Sequence, residues 1–196
     1  LIKAEKFSQK EIEKNFVRCA DKKAAQKMVN EIHQAKKTGD SLGGIVEVIA
    51  KKVPPGLGEP VFDKLDADIA KAMMSLGSVK GIEIGSGFSV SSMKGSEAND
   101  ELIIKSKRIS TKTNHAGGIV GGISNGSDII ARLAIKPTAS IAQEQRTVNR
   151  KGRPEKIKVE GRHDPCICPR IVPIAESMLA LVLADHLLKQ KIASLK

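Results

Sequence analysis

Residues 172–188, VPIAESMLALVLADHLL, place aliphatic side chains all the way round a helical axis. Met178, Leu179, Leu181, Val182 and Leu183 surround that axis rather than forming a stripe. A helix with one apolar stripe lies on a core, whereas one that is apolar all round is buried on several sides. The pattern predicts a buried helix from about Pro173 to Gln190. Strand-forming runs precede it, so the layers around it are sheets. The expectation is an α+β fold, a sandwich with helices packed between antiparallel sheets.

The upstream segments supply those elements. DKKAAQKMVNEIHQAKKTG (21–39) reads as a helix capped by Asp21 and stopped by Gly39. Ala25, Met28, Val29, Ile32 and Ala35 share one face, and lysines with His33 face solvent. Ile45–Ala50 is a β-branched strand stopped by Pro54, Pro55 and Gly56. A second helix over 62–77 aligns Phe62, Leu65, Ile69, Met73 and Leu76, and a strand follows over 79–90. Residues 91–115 are polar and read as a mobile loop. Residues 117–138 read as two strands around an Asn125-Gly126 turn. The 196 residues form one domain on this reading, with an aliphatic core, since the chain has four Phe and neither Trp nor Tyr.

The formal net charge of +11 attracts polyanions, nucleic acid among them, and small anionic substrates equally. Single-strand binding needs aromatic platforms that this chain lacks. The positive charge is spread along the chain, so nucleic acid is not the expected partner. Cys19, Cys166 and Cys168 cannot all pair within one chain, which favours a reducing, cytoplasmic setting. The longest apolar stretch, near Met178–Ala184, is too short to span a bilayer, and no membrane is expected.

Reactive chemistry is densest in GRHDPC (161–166). Three readings stand open on these residues. His163, Asp164, Cys166 and Cys168 are potential metal ligands, but structural zinc takes spaced pairs, and no second pair exists here. Arg162 offers a planar fork to a phosphate or carboxylate, with His163 or Asp164 to move a proton. A plain polar turn, with Asp164 pairing Arg162, explains the loop without function. NHAGGIVGGISNG (114–126) strips side chains from a strand, which marks close approach of a ligand or of backbone. KPTAS (136–140) sets a lysine and two hydroxyls at a strand exit, suited to phosphate or to plain exposure. GDSLGG (39–44) reads equally well as a helix stop and turn.

In order along the chain, GDSLGG, VKGIEIGSGF, NHAGGIVGGISNG, KPTASI, QRTVN, GRHDPC and the VPIAESMLALVLADHLL helix resemble chorismate synthase from about residue 39 to residue 190. The resemblance implies a lyase that converts 5-enolpyruvylshikimate 3-phosphate to chorismate and phosphate. The reaction is a 1,4-trans elimination, the last step of the shikimate pathway. It implies reduced FMN as cofactor, with NADPH the reductant in members that reduce their own flavin. It also implies a β-α-β sandwich assembled as a homotetramer. Arg162 matches the family's flavin-contacting arginine. Lys136, Pro137, Thr138, Ala139 and Ser140 match a second flavin segment and Gly121 a third. Gly77 and Ser78 match a fourth, where the family carries Asn-Ala. Asp164 matches the carboxylate beside the reactive edge of the flavin and ranks first among catalytic residues. His163 supports that loop, His115 is a further contact to flavin or substrate, and no metal is expected. Cys166 and Cys168 pack behind the loop.

The Gly-Glu-Ser-His-Gly-like motif, a second catalytic histidine, an arginine cluster for the substrate and an Arg-Ser-Ser-like flavin contact are not in this sequence. On the resemblance, the chain is the C-terminal half of the enzyme with an incomplete site. The competing function, from another class, is a non-catalytic basic module that binds RNA or other polyanions. It accounts for the charge and leaves the ordered glycine, KPT and RHD segments unexplained.

Overall fold

The structure is a computed structural model that describes residues 1–105 and 108–193. In chain order its elements are α1 (Gln9–Ile12), α2 (Lys22–Lys37), β1 (Gly44–Ala50), α3 (Leu65–Met74), β2 (Val79–Ile84) and α4 (Gly95–Ala98). There follow β3 (Leu102–Lys105), β4 (Arg108–Thr111), β5 (Ile119–Val120), β6 (Ile123–Ser124), β7 (Ile129–Ile135), β8 (Gln145–Val148), β9 (Pro154–Ile157) and α5 (Cys168–Ala193). The mixed α+β class is as expected. The sheets are small: one three-stranded sheet in the order β1-β7-β2, and the two-stranded ribbons β3-β4, β5-β6 and β8-β9. The three ribbons are antiparallel.

The chain divides into two compact units, Leu1–Gly44 with Ile135–Val172, and Ile45–Ala134 with the C-terminal stretch from Pro173. In the first unit, Val17, Cys19, Ala24, Ala25 and Ile32 form a core, with Met28, Val29, Leu42 and Cys166 packed against it. Asp21 caps α2 as expected, its carboxylate accepting from Lys23 N and Ala24 N. The other carboxylate oxygen accepts from Glu5 N and Lys6 N, so one buried side chain ties the N-terminal segment to α2. The backbone N–H of Ala24, the foremost of these donors, helps hold the Asp21 carboxyl below its ordinary value.

In the second unit, β7 alternates with period 2: Ile129, Ala131 and Leu133 are buried while Arg132 points to the other face. Val46 and Val48 of β1 and Leu65, Ile69 and Met73 of α3 are buried with them. On the opposite face, Arg132 bridges the carboxylates of Glu47 on β1 (3.4 Å) and Glu83 on β2 (3.2 Å). The backbone N–H of Phe88, and then Arg132, hold the Glu83 carboxyl below its ordinary range.

Several expected boundaries move, each for a local reason. The second helix starts at Leu65, not 62; the Leu65 N–H goes to Gly122 O at 2.8 Å, and Phe62 lies outside, 88% exposed. Strand β2 stops at Ile84 because Gly85 and Gly87 adopt left-handed φ, leading into a 3-10 turn over Gly87–Ser92. Residues 91–115, read as a loop, hold α4, β3 and β4, with Leu102 opposite Thr111 and Ile104 opposite Ile109; residues 106 and 107 lie outside the described residues. The tight hairpin turn is Gly121-Gly122 and not Asn125-Gly126, since Val120 pairs with Ile123. Both turn glycines have positive φ, +62° and +86°, which a two-residue primed turn requires.

Helix α5 departs most from expectation. Ile171, Ala175, Leu179 and His186 are buried along one line, yet Leu181 (65%), Leu188 (59%) and Ile192 (72%) are exposed. Its apolar circumference is covered on one side only among the described residues. Over its most apolar 18-residue window the mean hydropathy is 1.7, so by length and composition alone α5 is long and apolar enough to cross a membrane. The unbroken apolar run ends near Ala184, where Asp185 and His186 follow, while the helix itself continues to Ala193. His186 is nevertheless 1% exposed and bonded to Asp68 of α3 at 3.0 Å, so this part of α5 packs on protein.

Candidate active site

In the first unit three loops are knotted together. Gly39 ends α2 with φ +68°, and the turn after it aims Ser41 at the KPTAS segment. Ser41 Oγ donates to Thr138 O at 2.7 Å, and Thr138 Oγ1 donates to Asp164 O at 3.1 Å. Leu42 N–H donates to Pro165 O at 2.7 Å, closing the circuit. The glycine pair makes this approach possible. A Cβ on Gly43 would run into Ile135 O and crowd the Pro137 ring, and one on Gly44 would lie 2.9 Å from Cys168 Sγ. GDSLGG is therefore more than a helix stop: it clamps KPTAS and GRHDPC against each other. Adjacent glycines after a cap carried that signal in the sequence.

Asp164 is half-buried and pairs with Arg170, Oδ2 to Nη2 at 3.0 Å, and not with Arg162 as the plain-turn reading required. Arg170 lies in the first turn of α5, so the helix sets the carboxylate. Arg162, His163 and Lys136 are exposed, and among the described residues neither Arg162 nor Lys136 has a side-chain partner. Arg162 and Lys136 thus stand exposed on the two segments that the Thr138–Asp164 bond joins. Ala139 is exposed and Ser140 half-buried on the same segment.

Cys166 and Cys168 sit behind this loop, both half-buried and both free thiols. The side-chain hydrogen bond from Cys168 lowers Cys166 to about 7, with the Cys168 backbone N–H adding to it. The same bond, with burial, pushes the Cys168 thiol up. Among the described residues no three His, Cys, Asp or Glu side chains converge as a metal cluster.

In the second unit, His115 is fixed from three sides. Its Nδ1 lies 2.8 Å from Ser86 Oγ, its backbone N–H donates to Asp100 Oδ1 at 2.7 Å, and its carbonyl accepts from Ser86 N–H at 2.8 Å. Burial pushes the Asp100 carboxyl up, but the Ala116 N–H, the Thr113 hydroxyl and the His115 N–H outweigh it and hold it below its ordinary value. Gly121 is exposed with open space where a side chain would stand, and Gly77 is equally open. Ser78 holds φ +72°, a conformation that costs a non-glycine residue energy. The structure does not gather these positions at one point. Gly121 lies in the turn whose Gly122 carbonyl receives the α3 N-terminus, and Gly77-Ser78 lies past its C-terminus. Ten helical residues separate the two ends, roughly 15 Å at 1.5 Å per residue.

His186 went unmarked in the sequence. A histidine inside DHLL is lost among apolar neighbours, and only its burial against Asp68 distinguishes it.

The glycine-clamped loops and the carboxylate paired at the start of α5 belong to a mixed α+β chain. The sequence model described as chorismate synthase matches residues 2–188. The chain is 58% identical over 193 residues to a chorismate synthase of Chloroflexus aurantiacus, across 98% of this chain and 53% of that one. It is 57% identical over 196 residues to a chorismate synthase of Roseiflexus castenholzii, across 100% of this chain and 55% of that one. A crystal structure of chorismate synthase aligns with a TM-score of 0.75 and 33% identity, over 92% of this chain and 47% of the other. The chain belongs to the chorismate synthase family. It spans about half the length of the curated relatives it matches.

Proposed function

We propose that this chain is the C-terminal portion of a single chorismate synthase domain. The whole enzyme converts 5-enolpyruvylshikimate 3-phosphate to chorismate and phosphate by 1,4-trans elimination with reduced FMN, as a cytoplasmic homotetramer in which NADPH is one source of reducing power. The observation that carries the reading is the set of bonds that joins the Ser41, Thr138 and Asp164 segments, with the Asp164 carboxylate paired to Arg170 and with Arg162 and Lys136 exposed on the joined segments.

The residues present suit FMN. Arg162 and Lys136 offer charge to a phosphate, and the Thr138 hydroxyl, already donating to Asp164 O, stiffens the strand exit between them. In the second unit, Gly121 and Gly77 leave open space where a side chain would stand. Bound reduced FMN supplies an electron-rich ring that eases loss of phosphate. Asp164 holds or moves the proton at that ring, with its charge supported by Arg170. His163 braces the loop, and Ser86 sets the ring of His115. A sheet and helices contributed by the other half of the fold would cover the bare side of α5, which completes the sandwich.

Anaerobic titration with reduced FMN tests this in the chain joined to an upstream half from a relative. Arg162→Ala should weaken binding about 10-fold or more, the scale of one charged hydrogen bond. Unchanged affinity would remove Arg162 from the site.

A further inference from the structure

The ribbon β8–β9 grows directly out of the candidate site. Strand β8 begins five residues after Ser140, and β9 ends four residues before Gly161, so the ribbon connects KPTAS to GRHDPC. Its base is tied down: Ala142 N–H donates to Gly39 O at 2.9 Å, and Gln143 Nε2 donates to Thr38 O at 3.0 Å. Beyond that base no strand residue is buried, and all but Gln145 are exposed. A two-stranded hairpin without a buried face gains little from packing.

Its charge is one-sided. Residues 144–158 carry six cations against two carboxylates. Arg146 stands directly opposite Lys156, a cross-strand pairing of like charges that costs stability. Lys156 is matched by Glu144 at 2.6 Å. Arg146, Arg150, Lys151, Arg153 and Lys158 are exposed, and among the described residues none has a side-chain partner. The tip closes without them. Asn149 N–H donates to Arg153 O at 2.9 Å, Gly152 N–H donates to Asn149 O at 2.9 Å, and Asn149 Oδ1 accepts from the N–H groups of Lys151 and Arg153. The cationic side chains therefore serve neither the core nor the turn.

We propose that this ribbon is an electrostatic arm that draws a small phosphate-bearing anion toward the segments 136–140 and 161–164, raising its rate of association without holding it once bound. This rests on the anion site proposed above and adds how a ligand reaches it. Unpaired charges of one sign raise the local concentration of an opposite ion and its on-rate. A strand of four residues spans roughly 13 Å at ~3.3 Å per residue. The arm thus carries the field outward by about one Debye length, ~10 Å at 0.1 M salt. Nucleic acid suits the ribbon less well, since it has no aromatic side chain on which a base would stack.

The test variant is Arg150→Gln/Lys151→Gln/Arg153→Gln, which leaves the hydrogen bonds of the tip in place. In the full chain, nuclear relaxation of the Thr138, Ala139 and Gly161 amides by an anionic and by a neutral nitroxide reads the local potential with no flavin present. The anionic probe should act more strongly than the neutral one, and that excess should fall about 2-fold or more in the variant. An excess that stays the same overturns the proposal. In the chain joined to an upstream half, stopped-flow association of FMN at ~10 mM salt should slow about 10-fold in the variant, the low end of what steering supplies. Release should change by less than about 2-fold, and the difference in association should close at ~0.5 M salt. Riboflavin, which lacks the phosphate, should associate equally with both proteins. Faster release, or a difference that persists at high salt, overturns steering in favour of direct contact. Salt-sensitive binding of an RNA oligonucleotide that the variant loses, with FMN association unchanged, overturns it in favour of nucleic acid. Failure of FMN to bind the joined protein counts against the flavin reading, while the nitroxide measurement still decides the arm.

Discussion

His186 Nε2 on α5 lies 3.0 Å from Asp68 Oδ2 on α3, and the other ring nitrogen, buried, has no partner among the described residues. A half-satisfied buried ring depends on its single bond, because each unmade bond costs desolvation. Asp68→Ala should therefore lower unfolding stability by about 2 kcal/mol, whereas Asp68→Asn, which keeps an acceptor, should cost under about 1 kcal/mol. Urea midpoints at constant m-value check this. Equal losses for the two variants would mean the bond contributes little.

Asp164 is held by Arg170 on one side, while its carbonyl receives Thr138 on the other. Asp164→Asn keeps the shape and removes the charge, and with it the proton-carrying role proposed for Asp164. In the chain joined to its upstream half, the elimination rate should fall about 100-fold or more, the scale of a lost general acid–base group. FMN affinity should stay within a few-fold. Stopped-flow absorbance of chorismate separates rate from binding.

The depressed carboxyl of Asp100 gives acid sensitivity with a defined sign. Its proton affinity is lower folded than unfolded, where the ordinary value is 3.8. The unfolded state takes up the proton first as pH falls. The contribution is complete above 3.8 and is lost as pH drops through the lower, folded value. Asp100→Asn should flatten the fall in unfolding midpoint below about pH 4 and leave the slope near neutrality unchanged. An unaltered acid limb would show that the three donors to Asp100 are not what depresses it.

The bare side of α5 predicts opposite responses in two contexts. Leu181 and Leu188 are exposed in this chain. Leu181→Lys should then change its stability by no more than about 0.5 kcal/mol, as ordinary surface changes do. In a complete enzyme whose other half covers that side, the same change should cost several times more, on the order of 3 kcal/mol for a charge placed in a core. Equal small effects in both would mean α5 stays bare in the whole protein.

Short-range signals served the sequence reading well. The Asp21 cap, the α2 face around Ile32 and the Ile45–Ala50 strand follow from spacing and capping, and the structure has each of them. What was lost depends on partners distant in sequence. Leu65 starts α3 because Gly122 O, 57 positions away, receives its N–H, and no local rule gives that. Asp164 pairs with Arg170, in the first turn of α5, rather than with Arg162, while spacing alone allowed either. The all-round apolar pattern of α5 predicts burial on several sides, but among the described residues the helix is covered on one side only. Ser41 was legible as a turn residue, and its reach to Thr138, 97 positions on, was not.

The most direct measurement is anaerobic formation of chorismate from 5-enolpyruvylshikimate 3-phosphate with chemically reduced FMN, for this chain alone and joined to the upstream half of a relative. The account predicts turnover in the joined protein, and none above background in the isolated chain, because catalytic groups that act as a unit fail together. Silence from a folded, FMN-binding joined protein would contradict the enzymatic reading and the role of Asp164 with it. Turnover by the isolated chain would contradict the claim that its site is incomplete.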